Sequence, residues 1–257
     1  WANLQSYPGE SVVLKMPYRN YNTGGSQSLN VTVCGYTFTL DQTKTVKSIR
    51  LPGNANLVVL GLALANDPVS APLAGYYNRA GIYADGVTNN NGGIDGGGYV
   101  YSATLLTGSQ TWSNTVFNFG PANATNVIST ANQTIPLPPG NYSALRMLAT
   151  GVQGGQVSQV FTVSYTDNTT STFVQSLSDW FTPSNYAGES KAVIMGHRNN
   201  NAGAADNRTF YLYGYSFKLN SAKVVQSIKL PNTGNVLVTE ISLIPTWPPT
   251  FPASPFA

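Results

Sequence analysis

The sequence predicts an all-β fold, an antiparallel β-sandwich. Apolar and polar residues alternate with a period of two, Gly, Pro, Asn and Asp punctuate the alternation, and no stretch holds a helical period. Residues 1–64 also repeat as residues 180–243 without a gap, with about a third of the aligned positions identical.

The clearest strand covers residues 30–40, where Thr32, Cys34, Tyr36, Phe38 and Leu40 share one face. Its twin places Tyr211, Tyr213, Tyr215, Phe217 and Leu219 on one face. A short strand follows each, residues 45–51 and 224–230, ended by Pro52 and Pro231, which lack a ladder donor. An Asn- and Gly-containing loop then leads into an apolar strand, residues 57–64 and 236–244, so each block is expected to offer three or four strands of one sheet. Between the copies, residues 99–106 and 145–150 alternate. Residues 161–165 and 170–177 flank Thr166-Asp167-Asn168, a hairpin turn because Asp and Asn tolerate the left-handed backbone region. About eight to ten strands over residues 74–245 fit a jelly roll or related sandwich.

The repeat sets the organisation. Trp1, Tyr7 and Gly9-Glu10-Ser11 answer to Trp180, Tyr186 and Gly188-Glu189-Ser190, and Met16-x-x-Arg19-Asn20 to Met195-x-x-Arg198-Asn199. Gly35-Tyr36-x-Phe38-x-Leu40 matches Gly214-Tyr215-x-Phe217-x-Leu219, and the segment from Lys44 to Pro52 matches that from Lys223 to Pro231. Residues 1–64 thus read as the C-terminal part of a duplicated module whose front is missing, and residues 74–244 as a complete copy. Residues 65–73, with two prolines and no alternation, read as a linker. The proline-rich residues 245–257 read as an extended tail that lays Trp247, Phe251 and Phe256 on a neighbouring surface.

Composition excludes several classes. Only 9% of residues are charged, against roughly 25% in an average soluble protein, and Asn, Ser, Thr, Gly and Tyr take their place. Such a surface suits a secreted protein that meets neutral polar ligands. A net charge of +3 without a basic cluster makes nucleic acid and anionic membrane poor partners. No apolar run approaches the roughly 18 residues of a membrane span. Cys34 is the single cysteine, so no internal disulfide forms, and its strand position favours a buried thiol. Six Asn-x-Ser/Thr sequons, at Asn30, Asn123, Asn132, Asn141, Asn168 and Asn207, are compatible with glycosylation.

Few groups offer chemistry. The lone histidine, His197, aligns with Tyr18, which favours a structural or surface role over catalysis. Without a second His, triads and zinc clusters of the usual kinds are poorly provided for. Glu10 and Glu189 recur with Arg19 and Arg198, as a structural Glu–Arg ion pair, a capping contact, or a ligand site kept in each copy. Asp206 faces Gln27 in the alignment, so any role it has belongs to the complete copy. The loop over residues 81–101 carries Tyr83, Asp85, Asp95, Tyr99 and Tyr101 among seven glycines. Glycines admit close backbone approach, Asp supplies oxygen ligands, and tyrosines offer stacking faces. It is either a glycine-rich entry into the first strand or a calcium or glycan site with Asp85 and Asp95 as metal ligands. Trp112, in a polar turn-like setting, is either a sugar-stacking platform or a packing residue.

Several strings together resemble a known family. Asp95-Gly-Gly-Gly-Tyr-Val-Tyr-Ser-Ala, Asn132-Gln-Thr-Ile-Pro-Leu-Pro-Pro-Gly, Tyr165-Thr-Asp-Asn-Thr-Thr, Leu177-Ser-Asp-Trp180 and the segment 223–231 resemble galactose-binding-like jelly-roll modules appended to secreted microbial glycoside hydrolases and other exported hydrolases. The resemblance implies a sandwich that binds polysaccharide or glycan, often with a structural Ca2+. It places Asp85 and Asp95 at the family's acidic, glycine-rich segment.

These readings lead to a non-catalytic accessory module pair of a secreted multidomain protein, with Trp112, Tyr99, Tyr101, Tyr83 and Asp206 as ligand contacts. The rival is a structural or assembly protein whose first module is completed by another polypeptide, a second protomer, or residues 74–257, because a half-sandwich leaves an open edge and an uncovered apolar face. A glycoside or ester hydrolase acting through carboxylates stands third.

Overall fold

The computed structural model describes residues 2, 5, 7–38, 40, 46–62 and 67–246. The chain divides into two compact units, Trp1–Leu62 and Ala63–Ala257. The aromatic tail positions Trp247, Phe251 and Phe256 fall outside the described residues, as does Trp1.

Unit 1 is built on a hairpin of β1 (Glu10–Asn20) and β2 (Ser26–Tyr36). Unit 2 continues with β3 (Val69–Ser70), β4 (Arg79–Ala80), β5 (Ile82–Tyr83), β6 (Val100–Ser102), β7 (Ser109–Trp112), β8 (Thr115–Asn118), β9 (Thr125–Ser129) and β10 (Thr134–Pro136). It ends with β11 (Tyr142–Gly151), β12 (Gln156–Tyr165), β13 (Thr170–Leu177), β14 (Glu189–Met195), β15 (Arg198–Asn199), β16 (Ala205–Asp206), β17 (Phe210–Lys218), β18 (Val225–Lys229) and β19 (Val236–Pro245). A sheet in the order β14-β17-β11-β19-β9-β4, with β3 on β19, faces a second sheet in the order β10-β18-β12-β13. Among the described residues the named strands pair antiparallel except β5 with β6, and one isolated parallel bridge joins Gly151 to Asp179, so the all-β sandwich is present.

Alternation fills the space between the two sheets. Tyr213, Tyr215 and Phe217 of β17, Leu145 and Met147 of β11, and Ile241 and Leu243 of β19 meet Phe161 and Val163 of β12 and Val225 and Ile228 of β18 in one buried cluster. The opposite face of the larger sheet is covered too: Leu148, Leu212 and Leu237 pack under Ile82, Tyr101, Leu106, Phe117 and Trp180. A sheet covered on both faces buries successive positions of its strands, and β19 is buried without a break from Val236 to Leu243.

Three expectations are corrected here. Residues 99–106 do not form one strand, because after β6 the chain makes a helical turn, Ala103–Leu106, which the Ser102 hydroxyl caps by accepting from the Leu105 amide at 3.2 Å. The sandwich takes in part of the segment expected as a linker: Ser70 pairs with Ser242, and Ala71 and Leu73 lie in the core. The two halves of the repeat also differ. Strands β18 and β19 form at residues 225–229 and 236–245, whereas residues 46–62 form no strand. The physical reason is strand order. β17 and β19 do not touch each other, since β11 lies between them, and β18 lies between β10 and β12. Among the described residues of unit 1 no strand takes the places of β10, β11 and β12 beside residues 46–62.

Glu240 sits on β19 with 4% exposure, and its Oε1 finds no hydrogen-bond partner among the described residues. Burial pushes its pKa up from 4.5 to about 8. A raised acid pKa costs stability once the group ionises. The folded state is therefore least burdened below pH about 4.5 and loses stability as pH rises from there through about 8. Urea midpoints should show Glu240→Gln near neutral at pH 4 and stabilising by more than 1 kcal/mol at pH 9, as expected from roughly 1.4 kcal/mol per pKa unit. An equal effect at both values would contradict a buried neutral carboxyl.

Candidate functional site

The hairpin of the repeat positions the site. In unit 2, Glu189 pairs with Tyr215, Ser190 with Gly214, Val193 with Leu212, Met195 with Phe210 and Arg198 with Asp206. In unit 1 the partners are Glu10 with Tyr36, Ser11 with Gly35, Leu14 with Val33, Met16 with Val31 and Arg19 with Gln27. The two ladders match pair for pair, including the bulge between Lys191 and Val193 and its twin between Val12 and Leu14. Such a bulge re-aims the side chains beyond it.

The recurring glutamate is a capping residue. Glu189 accepts from the amides of Ser178 and Tyr186 and from the hydroxyls of Ser178 and Tyr215, and Glu10 likewise accepts from the Tyr7 amide at 2.9 Å. Of the structural readings of the Glu–Arg recurrence, the capping contact holds in unit 2, and the ion pair of Glu189 with Arg198 does not form. Arg198 takes other partners.

Arg198 is 8% exposed on β15 and organises the loops around it. Its guanidinium lies 3.5 Å from the centre of the Tyr99 ring, 4.6 Å from Phe210 and 4.9 Å from Trp180. Its Nε donates to Asp206 at 2.9 Å, and its Nη1 lies 3.4 Å from Asp95. A buried cation is tolerated only with such compensation. Asp206 also takes a bidentate pair from Arg208, whose guanidinium holds its carboxyl down to a pKa of about 2. Asp95 accepts from the amides of Gly97 and Tyr99, which closes the turn at the end of the glycine-rich loop.

Beside this cluster lies a second. Asp85 accepts from Ser102 Oγ at 2.6 Å and from Asn199 Nδ2 at 2.7 Å, and its other oxygen lies 3.3 Å from His197 Nε2. These donors hold its carboxyl below the usual range. Among the described residues no three of His, Cys, Asp and Glu are grouped to hold a metal ion. Asp85 and Asp95 each present both oxygens to protein partners, so as arranged they do not fit a calcium ligand set.

The structure thus brings Tyr83, Asp85, Asp95, Tyr99, Tyr101 and Asp206 into one region around β5, β6, β15 and β16. Their exposure differs. Tyr101 is fully buried, donates its hydroxyl to the Tyr211 carbonyl at 2.7 Å and meets Trp180 edge-on. Tyr83 is 4% exposed, and its hydroxyl accepts from Asn91. Tyr99 and Asp206 are half-buried, with Tyr99 lying against Arg198. Trp112 stands apart on β7, half-buried, with its Nε1 donating to Ser190 at 2.9 Å and its indole covering Gly214. Sequence reading missed Arg208 and Phe181, whose stacking at 4.8 Å completes the exposed rim. Only the alternation of Arg198, Asp206 and Arg208 across a turn hinted at it. Cys34, placed on a buried face by its strand, is half-buried.

A curled antiparallel sandwich with this polar, loop-borne cluster is a β-sandwich domain. Residues 69–246 match the family model of the AziU2-like beta-sandwich domain, and the chain belongs to that family. No curated protein matches the chain. Among the described residues no helix is long and apolar enough to cross a membrane.

Two outcomes follow. A side chain at Gly214 would run into the Trp112 indole, so Gly214→Ala should lower stability by about 1–3 kcal/mol as overpacking does. Trp112→Ala in combination should remove most of that additional loss in a double-mutant cycle. Asp206 is held below its ordinary pKa, so its contribution is present above pH about 4 and is lost as pH falls toward 2. Acid titration followed by near-ultraviolet circular dichroism should therefore show a shallower transition in Asp206→Asn than in the parent.

Proposed function

We propose that this chain is a non-catalytic accessory protein of a secreted hydrolase system, and that the Arg198 region of unit 2 binds a neutral polyhydroxyl ligand, a glycan. The observation that carries the reading is the Asp206 carboxylate, pinned at the rim by Arg198 and Arg208. Planar polar groups whose orientation is set before a ligand arrives lose little freedom on binding. The half-buried Tyr99 and the exposed Phe181 supply apolar edges beside them. A surface with 9% charged residues favours a neutral ligand over an ionic one.

The non-catalytic part rests on how the acid–base groups are engaged. Asp206 is paired with the guanidinium groups of Arg208 and Arg198, which keep its carboxyl ionised rather than poised as a general acid. The Ser102 hydroxyl donates to Asp85, while its oxygen caps a helical turn, so it is not aligned on His197 as an activated nucleophile is. Calcium has no part in the proposal. Tyr101, Tyr83 and Trp112 act as framework beneath and beside the rim.

Glycan-array binding by the whole chain tests the reading. Arg208 is 47% exposed by its side chain, so Arg208→Ala should preserve the thermal midpoint while weakening glycan binding tenfold or more. Trp112→Ala should instead lower the midpoint. Absence of binding to any glycan, or binding indifferent to Arg208→Ala, would sink the proposal.

A further inference from the structure

We infer that the outer face of the smaller sheet carries a binding site of its own, a cleft around Lys229 that takes an acidic glycan, a sugar chain bearing a carboxylate or sulfate group. The cleft follows from the way one strand ends. Lys229 pairs with Thr134 of β10 on one side and with Thr162 of β12 on the other. Two residues later Pro231 has no N–H with which to continue a ladder, and the chain bends away at Asn232. Strand β12 extends beyond that point with β13 alone, Val160 beside Val174 and Gln159 beside Gln175. The sheet therefore opens between β12 and the segments at Asn132 and Asn232, and leaves a cleft of about 330 Å³. That volume lies in the range of small-ligand sites, roughly 300–1,000 Å³.

The lining is neutral and polar apart from one group. Asn132, Gln159 and Asn232 carry primary amides, Ser158 and Thr162 carry hydroxyls, and Val160, 48% exposed, supplies an apolar patch. A bulge between Gln156 and Gln159, with Ser158 at a φ of 51°, interrupts the alternation of β12, and the consecutive residues Ser158, Gln159 and Val160 all border the cleft. Lys229 is the one charged residue of the lining. Among the described residues no carboxylate pairs with its ammonium group, in contrast to Lys223, whose Nζ lies 2.9 Å from Asp167. The side-chain amides of Asn132 and Asn232 likewise take no hydrogen-bond partner among the described residues.

Those groups define the ligand. Primary amides both donate and accept, as the neighbouring hydroxyls of a sugar ring require, and Val160 offers an apolar surface to the ring's C–H face. A single ammonium is a compact point charge that matches one negative charge, such as a hexuronate carboxylate or a sulfate ester. A phosphate dianion would stay undercompensated, because neither an arginine nor a second lysine borders the cleft. With only 9% of the chain charged, an ammonium without a counter-ion among neutral polar groups supplies one half of an electrostatic match, which selects among ligands. The site is separate from the Arg198 region, where the guanidinium is already paired with Asp95 and Asp206.

Calorimetric titration of the whole chain, produced in bacteria so that Asn132 carries no glycan, tests the site. The probes are short oligomers of galacturonate, glucuronate and mannuronate, their carboxyl-reduced neutral forms, and a sulfated galactose oligomer of the same length with its unsulfated form. At least one acidic oligomer should bind about tenfold or more tightly than its neutral form. Lys229→Gln changes one exposed side chain, so it should keep the parent's thermal midpoint and abolish that preference. Arg208→Ala should leave the preference intact, which separates this site from the one at Arg198. A preference for the sulfated oligomer over every uronate would assign the charge to sulfate and uphold the inference. The inference is overturned if no acidic oligomer binds, if the neutral forms bind equally well, or if Lys229→Gln leaves the preference in place. Loss of the preference in Arg208→Ala, or tighter binding of an acidic peptide of equal charge, would overturn it as well.

Discussion

The architecture depends on interleaving. Strands from the front and back of the domain interleave at the centre of both sheets: β11 separates β17 from β19, and β10 and β12 bracket β18. Neither half can close the central ladders or bury its apolar face by itself, because β11, β18 and β19 take their neighbours from the other half. Folding of unit 2 is consequently a single cooperative event of long-range pairing. In unit 1 the β1–β2 hairpin, whose partners are local, forms a ladder, and residues 46–62 form no strand.

Upon that scaffold the polar cluster is a charge-compensation device. Burying Arg198 among Tyr99, Trp180 and Phe210 is tolerable because Asp206 and Asp95 meet its guanidinium. The glycine-rich loop is the consequence, since Asp95 closes the turn that places Tyr99 on the guanidinium. In unit 1 the equivalent position of Asp206 is Gln27, and Arg19 Nε donates to its amide oxygen at 2.7 Å. The geometry of the pair survives the loss of charge, which marks the contact as part of the shared hairpin and Arg208 as the addition special to the complete copy.

Much of the fold was legible because strand alternation is a local property. The faces of β17, the Thr166-Asp167-Asn168 turn, where Asn168 adopts a φ of 64°, and the repeat's register all emerge from residue spacing. The site was partly legible. Asp85, Asp95, Tyr99 and Asp206 were identified individually, but burial separates Tyr101 and Tyr83 from the rim, and burial depends on which elements arrive from elsewhere in the chain. Trp112 looked exposed because its neighbours in sequence are polar, yet its ring rests on Gly214, about a hundred residues away.

The sequence alone determined the strand-forming pattern, the duplicated hairpin and the scarcity of charge, since each follows from residue identity at short spacing. Tertiary structure decided which pattern-bearing segments become strands, which aspartates are neutralised, and which aromatics face solvent. Residues 57–62 and 236–241 carry the same apolar character, and only the second set forms a strand. A strand is completed by its neighbours, and in this topology those neighbours are supplied by distant parts of a chain.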